Sequence, residues 1–312
     1  MRKYLFMGLM ALAGAGTLAS SSQEEEHAPA SLPSQLRVKA SIGGPETTTR
    51  SMKTGTSFDE GDALGLYVTS SDGTALYNAT SGNVKATKSG SGWTLASAIP
   101  LSSTSAKVYA YYPYASAQKG SVDGIESVAL VPGETDFMWG VSQEVNASNP
   151  TAVIKMKHAL SCLVFKFTNQ GSPNACVLTG SSLENAAASV FYSGGSMHLG
   201  TGAVTVGTAA KQTYTEDINF SAAAASVEHL VVPNGKDIAA GDCKFVFTID
   251  GKTYTYDVAA LKEGYKAGYK YTYSFVLKGS NLSLDEDDPS GTGGISITPW
   301  EDGGNAGGAT FE

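Results

Sequence analysis

Three cysteines in 312 residues are too few, and the wrong parity, for a disulfide framework. Cys162 in "LSCLVF" and Cys243 in "GDCKFVF" sit in apolar, strand-like runs, where a thiol behaves as a small buried hydrophobe. Cys176 leaves room for one bridge at most. Histidine is scarce too: His27, His158, His198 and His229 form no pair at metal-ligand spacing. His158 in "MKHALSC" reads as a structural residue close to a domain junction. Charged residues make up 16 % of the chain and the net charge is −8, so nothing resembles a basic groove and nucleic acid is not an expected partner. A Gly-x-Ser-x-Gly elbow and a phosphate loop are both missing. No catalytic residue, cofactor or metal site is therefore expected. "FDEGD", with Asp59, Glu60 and Asp62, reads as a turn rather than a calcium loop, and "DEDD" at 285–288 as a solvated acidic linker. A β-sandwich glycosidase would need two facing carboxylates about 5–10 Å apart. Nothing in the sequence favours that arrangement.

Long apolar runs are also missing, apart from the first twenty residues. Arg2 and Lys3 precede "YLFMGLMALAGAGTLAS", a pattern of basic n-region and apolar h-region that marks a signal peptide over residues 1–20. It is too short and glycine-rich for a membrane span. Export without a transmembrane anchor is expected. Leu18, Ala19 and Ser20 resemble a bacterial lipoprotein signal, but Ser21 stands where the lipidated cysteine would be. The acidic stretch 21–34 looks like a lipoprotein tether, which favours a lipidation cysteine replaced by serine.

What the chain has in abundance is period-two alternation. "QLRVKASI" puts Leu36, Val38, Ala40 and Ile42 on one face, and "ALGLYVTS", "AKVYAYYPY" and "YKYTYSFVL" repeat the pattern. "CKFVFTIDGKTYTYDV" reads as a hairpin turning at Asp250-Gly251. Helical signals are few: "SLENAAASVF", "INFSAAAASVEHL" and "AALKEGYKAG" each have room for a turn or two. An all-β chain of two tandem β-sandwich domains follows, with few short helices. "VNASNP" places their boundary at Pro150, giving domains 35–150 and 151–312. An acidic, glycine-rich stretch then leads to a last strand pattern with Ile295, Ile297 and Trp300, and Phe311 follows in the tail. Trp93, Trp139 and the tyrosines of 109–114 serve core packing more than sugar stacking.

One residue has no role in folding. "GPETTTRSMKTG" is a hydroxyl-rich connector that carries a lone arginine, Arg50. "TTTRSMKTGTSFDEGDALGLYV", "KVYAYYPY", "TDFMWG", "VIKMKHALSCLVFKF", "KAGYKYTYSFVL" and "ISITPW" follow one another in an order that resembles the fimbrillin family of Gram-negative surface fimbriae. The resemblance implies two transthyretin-like β-sandwiches, a lipoprotein precursor at the outer membrane, and a place in the fimbrium as stalk, tip or anchor. It further implies that an arginine-specific surface protease cuts after Arg50 and frees the strand carrying Leu36, Val38, Ala40 and Ile42. A strand from another fimbrial subunit, of the same or a different kind, then fills the groove. The donor candidates are Ile295, Ile297, Trp300 and Phe311. Surface glycans or proteins of host or bacterium are the further partners to consider. The alternative is a glycan-binding β-sandwich lipoprotein that does not polymerise and has no use for Arg50.

Overall fold

Alternating apolar residues place one face of a strand in a core and the other in water, and this chain is built almost wholly that way. A computed structural model of the chain describes residues 34–43, 58–171, 174–287 and 293–300. Ser21, Arg50 and Phe311 lie outside the described residues, as does the signal segment. In chain order the first half holds β1 (Ser34–Gln35), β2 (Arg37–Ile42), β3 (Ala63–Ser70), β4 (Val84–Ser89), β5 (Gly92–Leu95), β6 (Pro100–Leu101) and β7 (Ala106–Tyr112). Then come α1 (Asp123–Glu126), β8 (Val128–Leu130), β9 (Met138–Val141) and β10 (Thr151–His158). The second half holds β11 (Ser161–Asn169), β12 (Cys176–Asn185), β13 (Gly195–Met197), β14 (Val204–Val206), β15 (Gln212–Phe220) and β16 (Ala225–Val231). It closes with β17 (Cys243–Ile249), β18 (Lys252–Asp257), β19 (Tyr269–Lys278), β20 (Asn281–Leu284) and β21 (Ile295–Pro299).

The N-terminal half is one seven-stranded sheet in the order β2-β10-β9-β7-β3-β4-β5, with the short β1-β6 pair beside it. The sheet curls around an aliphatic core of Leu36, Val38, Leu64, Val108, Ile154 and their neighbours, so its β2 and β5 edges draw near each other. The C-terminal half is a two-sheet sandwich. Sheet β16-β11-β19-β20, with β21 also on β19, faces sheet β15-β12-β17-β18 across an aromatic core. Asp250 (φ 48°) and Gly251 (φ 74°) make the tight turn between β17 and β18, the left-handed conformation such two-residue hairpins demand.

The halves are not beads on a string. β8 of the first pairs with β13 of the second, and β14 extends them into a three-stranded sheet. A third apolar cluster joins Tyr67, Tyr109 and Tyr111 from the first sheet's outer face to Tyr192, Leu230 and Trp300. β3 is accordingly buried on both faces, which its unbroken apolar run reflects.

Two sequence expectations need correction. The boundary does not fall at Pro150: β10 follows it and hydrogen-bonds to β2 and β9. The chain changes sheet at Ala159 and Leu160, both fully buried. A polar turn marked the end of a loop, not the end of a domain. The three expected helices are also not helical. "SLEN" ends β12, "INFSAAAASVEHL" spans the end of β15, the crossover to the facing sheet and most of β16, and "AALKEGYKAG" is a run of turns. In the first two, strand pairing of the flanking residues in β12, β15 and β16 outweighed the helix propensity of the alanines. The helix α1 lies elsewhere and is a single turn.

Candidate functional site

β2 is built to plug a groove. Leu36, Val38 and Ile42 are 5 %, 4 % and 4 % exposed, and Ala40 is half-buried. All four pack into the aliphatic cluster. The alternate residues Arg37, Lys39 and Ser41 face outward and are exposed. Three fully buried side chains at about 1.5–3 kcal/mol each contribute roughly 5–9 kcal/mol before entropy is counted.

The strand is held along one side. Residues 37–42 pair in parallel with Thr151–Met156 of β10. Gly43 N–H donates to Met156 O (3.0 Å) and Arg37 N–H to Pro150 O (2.8 Å). Among the described residues the opposite side is bonded at the leading end only, where β1 pairs with β6 and Leu36 N–H donates to Ile99 O (2.9 Å). Between the free side of β2 and β5 lies a cleft of about 490 Å³, lined by Leu36, Val38, Trp93 and Leu95 among others. The strand leads at its far end into residues 44–57, which contain Arg50, and the described chain resumes at Phe58. Phe58 is buried against Trp93 (5.1 Å, edge-on) and Tyr112 (5.6 Å).

The donor candidates sit in their own molecule. β21 pairs antiparallel with β19, Ile295 opposite Tyr273 and Ile297 opposite Tyr271. Both isoleucines are half-buried at that edge. Trp300 is 3 % exposed and stacks face to face on His158 at 3.8 Å. His158 Nδ1 lies 2.8 Å from Asp136 Oδ2, and both groups are buried. Burial raises the Asp136 carboxyl above its ordinary range, and the His158 charge opposes the rise. Asp136 Oδ1 has no hydrogen-bond partner among the described residues. Sequence reading placed His158 at a junction and named Trp300 only as a donor candidate; it missed Asp136 and the pairing of both with His158, from which they lie 22 and 142 residues away in the chain. No local pattern links them.

One polar cluster invites comparison with a hydrolase. Ser181 Oγ lies 2.9 Å from His229 Nε2 and donates to Glu216 Oε1 (2.8 Å). Glu216 Oε1 is 3.2 Å from the same Nε2, and Tyr214 stacks on the ring at 3.7 Å. An acid–base relay puts the carboxylate on the opposite ring nitrogen from the nucleophile. Here both oxygens share Nε2, so the cluster pins β12 and β15 of one sheet to β16 of the other. Asp62, expected in a turn, accepts from Asp59 N–H at 2.7 Å and so closes that turn. Cys162, Cys176 and Cys243 are buried free thiols.

The fold resembles that of several solved proteins. A candidate cell adhesion protein of Bacteroides uniformis ATCC 8492 superposes with TM-score 0.59 at 17 % identity, over 85 % of this chain and 98 % of that one. A second, from Bacteroides ovatus ATCC 8483, gives 0.61 at 16 % identity over 86 % and 98 %. A fimbrial protein of Bacteroides vulgatus ATCC 8482 gives 0.53 at 16 % identity over 85 % and 99 %. At such identities these likenesses establish the fold. Membership comes from the sequence: residues 49–300 match the fimbrillin-like family model, and the chain belongs to that family. No curated protein matches it.

Proposed function

We propose that this protein is a subunit of cell-surface fimbriae, exported as a lipoprotein precursor, activated by cleavage after Arg50 and assembled by strand exchange. The observation that carries the reading is the bonding of β2: a six-residue edge strand with one ladder and a row of apolar plugs. Cleavage in the connector behind it leaves β2 attached by non-covalent bonds alone. A strand leaving that position opens an aliphatic groove beside unpaired backbone groups, which is a template for another chain's strand. Parallel ladders are slightly weaker per residue than antiparallel ones. A donor entering antiparallel therefore improves on the strand it replaces.

The C-terminal stretch from Ile295 onward is the favoured donor. Ile295 and Ile297 give up a half-buried edge position and gain a groove in which Leu36, Val38 and Ile42 are now 5 % exposed or less. Trp300 is the residue that holds this stretch at home. Fimbrial partners of the same or another kind, and an arginine-specific surface protease, follow from this scheme.

The test is direct. Purified protein treated with an arginine-specific protease is expected to form SDS-resistant ladders, and Arg50→Ala to remain monomeric. Ile295→Asp with Ile297→Asp is expected to be cleaved yet to stop the ladder. A cleaved wild-type chain that stays monomeric with the 35–42 strand still bound would overturn the proposal.

A further inference from the structure

The seven-stranded sheet has an unusual charge. Its strands carry Arg37, Lys39, Lys155 and Lys157 on β2 and β10, and Lys85, Lys88 and Lys107 on β4 and β7. None of its seven strands carries an aspartate or glutamate. Yet the chain as a whole has a net charge of −8. The C-terminal sandwich, by contrast, mixes both signs along its strands, as in Glu184, Glu216, Asp217, Lys244 and Asp257.

Four of these cations share one surface. Arg37, Lys39, Lys155 and Lys157 are all exposed and project from the same face of two neighbouring strands. The parallel register sets Arg37 opposite Thr151, Lys39 opposite Val153 and Ser41 opposite Lys155. Val153 in their midst is 64 % exposed. Neighbouring strands lie about 4.8 Å apart and alternate residues about 6.7 Å apart, so the four form a compact array.

Lysines on an edge strand guard against aggregation, which accounts for Arg37 and Lys39. It does not account for Lys155 and Lys157, because β10 is an interior strand with neighbours on both sides. Beside them the half-buried Trp139 ring lies 5.5 Å from Lys157 Nζ, directly across the β9-β10 register. Arg37 and Lys39 make no ion pair among the described residues. Four cations, an exposed apolar residue and an aromatic ring on a flat face fit a polymer that carries both anionic groups and apolar ring faces. An acidic peptide fits less well, since peptides gain most by adding backbone bonds to a sheet edge, and a sheet face offers none.

We propose that the outward face of β2 and β10 binds an anionic polysaccharide, bearing sulfate or carboxylate groups, through Arg37, Lys39, Lys155 and Lys157. Arginine and lysine both make charge-assisted bonds to such groups, and arginine does so with two donors at once. The site is complete only while β2 is in place, so it belongs to the uncleaved protein, and its test on that form is separable from the test of strand exchange.

Heparin serves as the probe, with the full-length, uncleaved protein. Retention on immobilised heparin at about 50 mM salt is expected, with release as salt rises, the behaviour of a binding site that displaces counterions. Arg37→Gln/Lys39→Gln and Lys155→Gln/Lys157→Gln are each expected to weaken binding roughly tenfold, and to lower the slope of log affinity against log salt by about two. Lys236→Gln/Lys252→Gln, on the other half of the molecule, should leave both unchanged. Matching thermal melts would confirm that every variant is folded. Flow-through of the wild type, an equal loss in the control pair, or equal retention on polyglutamate would each overturn the proposal.

Discussion

The two halves of this protein bury their cores in different materials. Of its twelve largest fully buried side chains, ten lie in the C-terminal sandwich and only Tyr67 and Tyr111 in the first sheet. Phe165 alone meets Phe245, Phe247, Phe275 and Tyr273, with centroids 4.7 to 6.4 Å apart. Interlocked rings prefer particular offset or edge-on geometries, and such a core accepts few substitutes. Beneath β2 the core is mostly leucine, valine, isoleucine, alanine and methionine, with Phe58, Trp93 and Tyr112 as rings at its margin. An aliphatic core tolerates exchange of similar volumes. The permanent half is aromatic at its centre, and the core under the strand proposed to leave is mainly aliphatic.

Five variants would break or sharpen that contrast. Phe247→Ala is expected to cost about 3–5 kcal/mol by urea unfolding, because it empties the centre of a ring cluster. Val38→Ala, on the edge strand, is expected to cost about 1.5 kcal/mol, the transfer value of two methyl groups. Equal losses would erase the distinction. Trp300→Ala follows, at about 3 kcal/mol. Its second readout is amide exchange: Ile295–Pro299 should exchange faster while β11 stays protected. Unchanged protection of β21 would mean that Trp300 does not hold it.

Asp136→Asn tests the junction. The native carboxyl holds its proton more tightly than the unfolded chain does, because burial raises it. That contribution is complete below the ordinary carboxylate value of about 4 and is lost as pH climbs through the raised native value. Wild-type melting temperature should therefore fall across that window, and the Asn variant should lose this part of the slope. An identical profile in both would assign the pH dependence to other groups. The smallest effect is expected for Glu216→Gln, at about 1 kcal/mol, since the amide still accepts from Ser181. A loss several times larger would mean that the pin needs charge as well as shape.

Much of the fold was legible along the chain. Leu36, Val38 and Ile42 announce β2 by alternation alone, and Asp250-Gly251 announces its hairpin by turn chemistry. Both signals span a few residues, where local sterics and solvent exposure dominate. The false boundary at Pro150 and the alanine-rich "helices" were also local signals, and there tertiary pairing prevailed. The parallel partnership of β2 with β10 was invisible, because it joins residues more than a hundred positions apart. So was the Asp136–His158–Trp300 stack, whose members share no spacing rule.

By itself the sequence determined which face of each strand goes inward, where the tight turns fall, and that one strand precedes a connector carrying a lone arginine. These follow from side-chain period and backbone preference, which act within a few residues. Only the tertiary structure decided that this strand lies at an edge, that β10 belongs to the first sheet, and that four cations from two distant segments share a surface. Those outcomes depend on which strands pair, and pairing is settled by the burial of whole faces rather than by any residue's neighbours in the chain.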